Sequence, residues 1–464
     1  MRIRLLVLLL VAAVLAALAP APALALSADD SFPGIALPTS PFTGSLSPSG
    51  GDVNDCYSLH LDAGDELTLS LRGDAGTDFS LALFNGSIGY EEWESLFWFW
   101  QPGYPKETSF VVPEGQAATY SVQVDAFDPA GIAGNYALTW SRRHEKAARL
   151  YGMDRYQTAV AVSRSTFATA AAVVLANGKS YADALSAAGL AGALNGPVLL
   201  TPGVGAVPDS VLRELQRLQA SKIVIVGSEN SVSADIERRL SAPPPAGLGY
   251  DVDRLGGRNR FATSMLVAER VRELGGSREA FLVSGRSYAD ALSVSPVAFA
   301  RKMPIVLTDP KVLSPEAEAA LNSLDATHVV VAGSVNAVSA GAAAKAGGIL
   351  AANDTGAGHR LDRWEGADRF ATSTSVAEHA MALGWADWGH AALSTAYDYP
   401  DALGGGAAVG ARAGVLLLTK PLALSPSTSG ELTAHKGGVE RVYLLGSANT
   451  LRETVRSGVL HALE

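Results

Sequence analysis

One stretch of 24 residues occurs three times in this chain, and this repetition constrains the fold more than any other feature. The copies begin at Gly178, Gly285 and Ala396 and read GKSYADALSAAGLAGALNGPVLLT, GRSYADALSVSPVAFARKMPIVLT and AYDYPDALGGGAAVGARAGVLLLT. In each copy the same 18 positions separate an aspartate from the closing threonine. A constant spacing in three copies indicates three related structural units.

The sequences around this stretch repeat as well, which sets the size of the unit. Each copy is preceded by an Arg-x-x-Gly-x-x-Arg-aromatic-x-Thr pattern that starts at Arg149, Arg254 or Arg363, and an apolar run ending in Gly-Ser follows it. A period of roughly 110 residues is that of a whole domain, far longer than a solenoid repeat, so each unit has enough residues for its own core. The predicted units are 147–242, 252–350 and 360–464.

Within each unit, helical patterns alternate with short, wholly apolar strands. In the first unit we predict helices over 156–167, 183–194, 208–218 and from about 233, with strands over 171–176, 197–201 and 223–226. Such alternation predicts a Rossmann-like α/β fold with a parallel sheet covered on both faces and right-handed crossovers. The small residues that follow Asp183 predict a helix that lies close against the sheet.

The N-terminal third of the chain has a different pattern. Residues 1–25 combine two arginines, an apolar run and an Ala-Leu-Ala site, which predicts a cleaved secretory signal peptide; no later run is long and apolar enough to span a membrane. Residues 26–44 are rich in Ser, Pro and Ala and predict a linker. Residues 45–141 contain short runs with period-two alternation, broken by turn residues, which predicts an antiparallel β-sandwich. The single cysteine, Cys56, excludes an intramolecular disulfide.

Charge is distributed unevenly between these regions. The net charge of the chain is -10, but residues 27–141 hold 2 basic and 16 acidic residues, whereas residues 142–464 hold 32 basic and 30 acidic residues. The repeats, whose charges nearly balance, are therefore compatible with an anionic partner. The acidic N-terminal region would repel one.

Recurring polar residues fall where the predicted strands end. The carboxyl ends of parallel strands meet at one edge of a sheet, where ligands of such folds bind. The recurring aspartate begins a helix, so helix capping or pairing with a recurring arginine is a structural alternative to polymer contact. The polymer-binding candidates are Arg155, Asp183, Thr201, Ser228, Arg260, Asp290, Thr308, Ser334, Arg369, Asp401, Thr419 and Ser447.

Together these motifs resemble the bacterial cell-wall-binding type 2 family, whose members usually carry three tandem copies. The resemblance covers about residues 147–464 and implies non-covalent, S-layer-like anchoring to the Gram-positive wall through anionic secondary polymers of the teichoic-acid type, or through peptidoglycan. It also implies that the three units pack as a pseudo-threefold trimer within a monomer. The third copy departs from the pattern at Gly404, Thr450 and Leu451, which leaves its share of binding open.

The N-terminal region, about residues 45–141, resembles the bacterial pre-peptidase C-terminal domain, a jelly-roll-like accessory module. The resemblance rests on DVNDCYSLHLDAGDELTLSL from Asp52, on TDFSLALF and on GNYALTW. Asp52, Asn54 and Asp55 offer oxygen ligands for calcium, with plain turn residues as the alternative. Trp93, Trp98 and Trp100 form either an aromatic platform for a glycan or part of the sandwich core.

No catalytic motif emerges from the sequence. The eight histidines follow no zinc spacing, and neither a nucleophile elbow nor a phosphate-binding loop is present. We therefore expect a secreted, wall-anchored protein that is not an enzyme and has no cofactor, no metal and no nucleic-acid partner. A peptidoglycan hydrolase or its modifier is one alternative, and an adhesin that binds an external glycan or protein through the sandwich is another. Since sandwich and repeats account for nearly all residues, we expect no separate catalytic domain.

Overall fold

The structure is a computed structural model that describes residues 32–61, 65–85, 95–99, 104–112, 118–126, 131–143, 146–356 and 358–464. The predicted signal peptide, residues 1–25, lies outside the described residues. The chain forms two compact units, Met1–Arg143 and His144–Glu464, which we describe separately. Within the described residues, no helix is both long enough and apolar enough to cross a membrane.

Two sheets make up the N-terminal unit. Its strands are β1 (Ile35–Ala36), β2 (Phe42–Leu46), β3 (Asn54–Leu61), β4 (Glu66–Gly73), β5 (Phe79–Asn85), β6 (Ser95–Phe99), β7 (Lys106–Val111), β8 (Ala118–Ala126) and β9 (Gly134–Arg143). One sheet has the order β1-β3-β8-β5-β6 and the other β2-β9-β4-β7. All pairs are antiparallel except β1 with β3, which confirms the predicted antiparallel region.

The core of this unit follows from the alternation in its strands. In β4, Leu67, Leu69 and Leu71 are fully buried, while the residues between them are half-buried or exposed. The predicted linker over 26–44 is wrong in part, because β1 pairs with β3 and Phe42 to Leu46 pair with β9. The Ser- and Pro-rich composition concealed these short strands.

The second unit contains three α/β repeats. The elements of repeat 1 are β10 (Ala147–Leu150), α1 (Arg155–Arg164), β11 (Ala172–Asn177), α2 (Tyr181–Ala184), α3 (Ala187–Leu194), β12 (Val198–Thr201), α4 (Asp209–Arg217), β13 (Lys222–Val226) and α5 (Ala234–Ser241). Those of repeat 2 are β14 (Asp251–Leu255), α6 (Arg260–Glu273), β15 (Glu279–Ser284), α7 (Ala289–Arg301), β16 (Ile305–Thr308), α8 (Pro315–Ser323), β17 (His328–Ala332) and α9 (Ala340–Asn353). Those of repeat 3 are β18 (Arg360–Trp364), α10 (Arg369–Ala382), β19 (His390–Thr395), α11 (Pro400–Gly410), β20 (Val415–Thr419), α12 (Pro426–Ala434), β21 (Arg441–Leu445) and α13 (Glu453–Leu463).

The parallel sheets are confirmed, and each has one strand more than we predicted. The three sheets have the orders β12-β11-β13-β14, β16-β15-β17-β18 and β20-β19-β21-β10, and every pair is parallel. The fourth strand always comes from a neighbouring repeat. Since β10 of repeat 1 completes the sheet of repeat 3, the exchange closes into a ring.

An arginine holds each exchanged strand in place. Arg149 donates to the carbonyl of Gly446 at 3.0 Å, Arg254 to Gly227 at 2.8 Å, and Arg363 to Gly333 at 2.6 Å. Each bond joins the first arginine of one repeat to the Gly-Ser turn of another. The first arginine and the Gly-Ser turn therefore recur for a structural reason, because together they connect neighbouring repeats.

Small residues in the central helices let neighbouring repeats approach closely. Helix α3 packs against α7, α7 against α11, and α11 against α3. A Cβ added at Gly192 would lie 2.1 Å from the carbonyl oxygen of Phe299, and one at Gly410 would lie 2.4 Å from that of Pro296. We expected the small residues to serve packing on the sheet; at these positions they serve packing between helices of different repeats.

Candidate functional site

The candidate site is the edge where the parallel strands of the repeats end. We name the loops at this edge the strand-end face: residues 178–180, 202–207 and 228–231 in repeat 1, with 285–287, 309–313 and 334–337 in repeat 2, and 396–398, 420–424 and 447–450 in repeat 3. Each loop follows the carboxyl end of a strand, with the glycine of the Gly-Ser turn between strand and loop in 228–231, 334–337 and 447–450. The first helix of each repeat also starts here, since it follows the exchanged strand.

The second arginine of each motif binds backbone at this edge. Arg155 donates to the carbonyl oxygen of Gly178 at 2.7 Å, Arg260 to Gly285 at 2.6 Å and Arg369 to Ala396 at 2.7 Å. Each helix begins with a side-chain cap from the preceding residue, such as Asp154, which accepts from two backbone N–H groups. The cap and the fixed start of the helix hold each guanidinium at the end of β11, β15 or β19.

The same arginines also contact the neighbouring repeat. The Arg260 guanidinium lies 5.5 Å from the ring centroid of Tyr181 in repeat 1. Arg369 acts electrostatically on Asp290 of repeat 2, and Arg155 acts on Tyr399 of repeat 3. The arginines thus interact between repeats, whereas the sequence could only suggest pairing with an aspartate in general.

Three tyrosines bring the edges of the three sheets together. Tyr181, Tyr288 and Tyr399 have ring centroids 5.5, 5.3 and 5.7 Å apart. The hydroxyl of Tyr181 donates to the carbonyl of Arg286 at 3.4 Å, and that of Tyr288 donates to Ala396 at 3.3 Å. Because each ring stands at the start of the helix that follows β11, β15 or β19, the strand ends of the three repeats meet around this cluster.

Sequence reasoning missed these tyrosines as site residues, although the signal was present. Each one stands two positions before the recurring aspartate, at 181, 288 and 399. An aromatic residue in an apolar-rich stretch gives no reason to expect contact with its counterparts, because that contact depends on how three units pack. Periodic recurrence at a helix start was the usable signal.

The recurring aspartates face the Gly-Ser turns. A Cβ added at Gly227, Gly333 or Gly446 would lie 3.0, 2.5 or 2.2 Å from the Oδ2 atom of the aspartate in its own repeat. All three glycines have positive φ, at 124, 97 and 98°. The glycine is therefore required twice, for its backbone conformation and for the close carboxylate.

None of the three aspartates is an N-cap, so the capping alternative is corrected. The N-caps of α2, α7 and α11 are Ser180, Tyr288 and Tyr399, and the aspartates stand in the first turn of each helix. Asp290 is 8% exposed, and burial raises its pKa to about 6 against the opposing influence of Arg369. Burial also raises the pKa of Asp401, and hydrogen bonds from Thr450 and Thr158 oppose that shift. These carboxylates therefore contact the protein's own Gly-Ser turns and contribute mainly to packing at this edge.

The recurring threonines are corrected to structural positions. Thr201, Thr308 and Thr419 are fully buried, so none of them reaches a polymer at the surface. The hydroxyl of Thr308 donates to Val312 and accepts from the Ser314 N–H, which shapes the loop after the strand. The recurring serines are partly exposed and stay candidates: Ser228, Ser334 and Ser447.

Cationic and apolar side chains are exposed on the strand-end face, beside the exposed carboxylates of Glu229 and Asp398. Lys179 and Arg286 are exposed at equivalent positions of repeats 1 and 2, and Tyr397 is exposed at that position of repeat 3. Arg286 lies 3.5 Å from Asp309. Exposed large apolar residues follow the strand ends in all three repeats: Tyr151, Met153, Val204, Val312, Val335, Tyr397 and Leu422. The face thus offers positive charge beside apolar surface.

Comparison with known proteins identifies the family to which this chain belongs. The sequence pattern of the family described as Cell wall binding domain 2 (CWB2) matches residues 149–237, 254–343 and 363–456. These segments make up more than half of the chain. The chain belongs to this family. The predicted resemblance of the repeats is confirmed, and the CWB2 repeats are modules that bind the cell wall.

Relatives of this CWB2 protein carry wall-related names. It is 31% identical over 191 residues to the N-acetylmuramoyl-L-alanine amidase LytC of Bacillus subtilis, which covers 41% of this chain and 37% of LytC. It is 33% identical over 165 residues to the amidase enhancer of that organism, covering 35% and 21% of the two chains. The structure of Cwp8 from Clostridium difficile matches with a TM-score of 0.58 and 26% identity, over 68% of this chain and 52% of Cwp8. The chain spans about half or less of the length of each of these proteins.

The N-terminal candidates have different outcomes. Asn54 and Asp55 are adjacent in β3 and both are buried, and the Asp55 carboxylate accepts a hydrogen bond from the hydroxyl of Tyr136. Neighbouring strand residues point to opposite faces, so the side chains of Asn54 and Asp55 diverge, which favours the alternative without calcium at Asp52, Asn54 and Asp55. Trp93 and Trp100 lie outside the described residues. The backbone of Trp98 pairs with Ala82 in the sheet, and the glycan platform stays a prediction.

Proposed function

We propose that this protein is secreted and held non-covalently on a Gram-positive cell wall through anionic secondary polymers that bind the strand-end face. The observation that carries this proposal is the tyrosine cluster, which joins three equivalent edges into one surface that bears Lys179 and Arg286. The three repeats then form a pseudo-threefold body within one chain. Three sites on one body add by avidity, so each can be weak.

The chemistry of the face supports this type of ligand. Phosphate-bearing polymers carry negative charge along their length, and lysine and arginine side chains form charge-assisted hydrogen bonds with phosphate oxygens. Exposed Val204, Val312 and Leu422 offer apolar surface beside these cations. The face therefore suits a ligand that alternates charged groups with the less polar faces of sugar or polyol units.

The helix dipoles at this edge add a second favourable electrostatic contribution. Helix α7 has 13 residues and α11 has 11, and both point their N-terminal ends toward the strand-end face. The positive end of a helix dipole favours an anion. The arginines that bind the backbone and the aspartates that contact the Gly-Ser turns hold these helix ends in place, which makes their role one of positioning.

We further propose that the repeats anchor and that the acidic N-terminal unit is displayed outward. With 16 acidic and 2 basic residues between positions 27 and 141, this unit is repelled by an anionic wall polymer. Its two sheets share one hydrophobic cluster, which supports the β-sandwich architecture and the pre-peptidase C-terminal resemblance. An adhesin function would reside in this unit.

The names of LytC and the amidase enhancer favour a second candidate, a role in peptidoglycan hydrolysis. We propose that this chain acts by binding and is not itself an enzyme, because the recurrent polar residues of the repeats are used in packing or in binding positions. Zymography with the purified full chain tests this point. Clearing of a peptidoglycan gel would overturn the non-catalytic assignment.

Wall sedimentation tests the anchoring proposal. Purified full-chain protein is incubated with Gram-positive cell walls before and after chemical removal of the secondary polymers. We expect the bound fraction to fall after polymer removal, and to fall with rising salt on intact walls because salt screens exposed charges. Equal binding to both wall preparations would overturn the assignment to secondary polymers.

A further inference from the structure

Repeat 3 places three side chains that can ligate metals next to one another, away from the strand-end face. Glu378 belongs to α10, Glu431 belongs to α12, and His435 follows the end of α12. One ligand atom of each lies within 4.8 Å of those of the other two. The Glu431 Oε2 and His435 Nε2 atoms are 3.6 Å apart, close to the ~3.3 Å that separates two ligands at tetrahedral zinc.

The repeats themselves provide a control for this cluster. The position nine residues after the second motif arginine is Arg164 in repeat 1 and Glu378 in repeat 3. Arg164 pairs with the fully buried Glu214, and Arg217, the counterpart of His435, pairs with it too. In repeat 1 this surface is thus an arginine–glutamate cluster with its charges paired inside the protein.

Repeat 2 has neither arrangement. Its counterparts of Glu431 and His435 are Ala320 and Leu324, and only Glu269, the counterpart of Glu378, is ionisable. The CWB2 fold therefore does not require two carboxylates and an imidazole at this place. Repeat 3 carries a combination of ligands that the other two repeats lack.

Within the described part of the chain, neither Glu378 nor Glu431 forms an ion pair with a lysine or an arginine. Among the described residues, the ion pair recorded for Glu431 is with His435, and its Oε2 atom is shielded from solvent without a hydrogen-bond donor. Two carboxylates held together in this way repel each other unless a proton or a cation lies between them. A divalent cation would supply the charge that Arg164 and Arg217 supply in repeat 1.

The imidazole is also held in a defined orientation. The ring of His435 stacks on Trp388, with centroids 4.5 Å apart and planes at 9°. Trp388 is 3% exposed, so it forms a rigid wall behind the histidine. Orientation of a ligating ring by its surroundings is typical of metal sites and raises affinity.

We propose that Glu378, Glu431 and His435 bind one divalent transition-metal ion of the Zn²⁺ class, with water completing the coordination. One imidazole and two carboxylates suit a borderline metal, whereas Ca²⁺ requires six to eight oxygen ligands, more than this cluster provides. The ion would link α10 to α12 on the outer surface of repeat 3. This inference does not depend on the proposed function, since none of the three residues belongs to the strand-end face.

Metal titration of the untagged full chain tests the proposal. After treatment with a chelator, the protein is titrated calorimetrically with Zn²⁺ and, separately, with Ca²⁺ and Mg²⁺, and Co²⁺ is used to read the coordination geometry by absorption. We expect one Zn²⁺ per chain and a higher thermal unfolding midpoint with Zn²⁺. Glu431→Gln and His435→Gln should each weaken Zn²⁺ binding at least about tenfold.

Glu269→Gln is the matched control, because it removes a carboxylate from the equivalent helix of repeat 2. It should leave Zn²⁺ affinity unchanged, and far-UV circular dichroism checks that every variant is folded. The proposal is overturned if Zn²⁺ does not saturate one site, if the two repeat 3 variants bind Zn²⁺ like the native chain, or if Ca²⁺ or Mg²⁺ binds this cluster more tightly.

Discussion

Repeats 1 and 3 share a fold but present different surfaces, and the comparison separates what the architecture requires from what each repeat has specialised. Both use an arginine to hold an exchanged strand, through Arg149 and Arg363, and both place a tyrosine in the central cluster. At the strand-end face, however, Lys179 of repeat 1 corresponds to Tyr397 of repeat 3. On the outer helices, paired arginines in repeat 1 correspond to Glu378 and His435 in repeat 3.

This comparison teaches that recurrence in the sequence has two sources. Residues that recur in all three repeats, such as Arg254 and Thr308, are largely engaged in bonds within the protein. Residues that differ between repeats at exposed positions are the ones free to determine what each repeat binds. The following predictions test this division, from the largest expected effect to the smallest.

The largest effect is expected from Gly446→Ala in repeat 3. The added Cβ would lie 2.2 Å from Asp401 Oδ2, at a residue with a φ of 98°. We expect a loss of about 3 kcal/mol in unfolding free energy, measured by chemical denaturation. Gly227→Ala in repeat 1 should cost less, because its Cβ would lie no closer than 2.8 Å, to Ser231, and 3.0 Å from the carboxylate of Asp183.

Gly430→Ala provides the control for this pair. Gly430 lies in helix α12, and a Cβ added there meets no atom within 4 Å. Alanine in a helix is favoured over glycine, so we expect a stabilisation of up to about 1 kcal/mol. Equal stability of the Gly446→Ala and Gly430→Ala variants would contradict the packing of the aspartate on the Gly-Ser turn.

The second prediction concerns pH and compares repeats 2 and 3. Because burial raises the pKa of Asp290 to about 6, the folded state binds this proton more tightly than the unfolded state. Its contribution to stability is therefore fully present below about pH 4 and is lost as pH rises through 6, by about 3 kcal/mol. Asp290→Asn should remove this dependence in denaturation experiments between pH 4 and 7.

Asp401→Asn should change the pH dependence less, because hydrogen bonds from Thr450 and Thr158 offset the effect of burial on the Asp401 carboxyl. If the two variants flatten the pH dependence of stability equally, the predicted difference between Asp290 of repeat 2 and Asp401 of repeat 3 is wrong. If neither variant changes it, the buried carboxylates do not titrate in this range.

The third prediction addresses the face of repeats 1 and 2. The double variant Lys179→Ala/Arg286→Ala should weaken binding to intact walls about tenfold, equivalent to about 1.4 kcal/mol, because two exposed cations are lost. Arg213→Ala/Arg238→Ala is the matched control, since it removes the same charge from exposed positions on the helices α4 and α5. Equal losses in both double variants would indicate a nonspecific effect of net charge.

The smallest effect is expected from converting repeat 3 toward repeats 1 and 2. Tyr397 is 59% exposed at the position of Lys179 and Arg286, and Tyr397→Lys adds a cation there. We expect wall binding to tighten about threefold, the size of one exposed charge contact. A loss of binding would show that Tyr397 itself contributes to the ligand contact through its ring.

Much of the fold could be predicted because it depends on local patterns. We could predict the elements of each repeat from the apolar runs, the helix spacing and the 18-residue interval. Period-two alternation, as in β4, predicted the N-terminal sheets. The fourth strand of each sheet could not be assigned, because β10, β14 and β18 belong to one repeat in sequence and to another in space. Only the assembled ring shows this exchange.

The sequence predicted where the candidate site lies better than it predicted what each of its residues does. Strand ends and helix starts identified the edge correctly, but burial decides which side chains reach its surface. Thr201 and Asp290 looked equivalent to exposed polar residues in the sequence, and the structure places them inside. Tyr181 and its counterparts looked like ordinary apolar positions, and their contact required knowledge of how the repeats pack.

Hydrogen exchange of the full chain, with and without purified secondary wall polymer, tests the central claim most directly. We predict that the polymer slows exchange in residues 178–180, 202–207 and 285–287 of the strand-end face. Residues 219–221 and 325–327, which precede strands at the opposite edge, should be unchanged. Protection confined to that opposite edge, or to the N-terminal unit, would contradict the assignment of the polymer-binding surface.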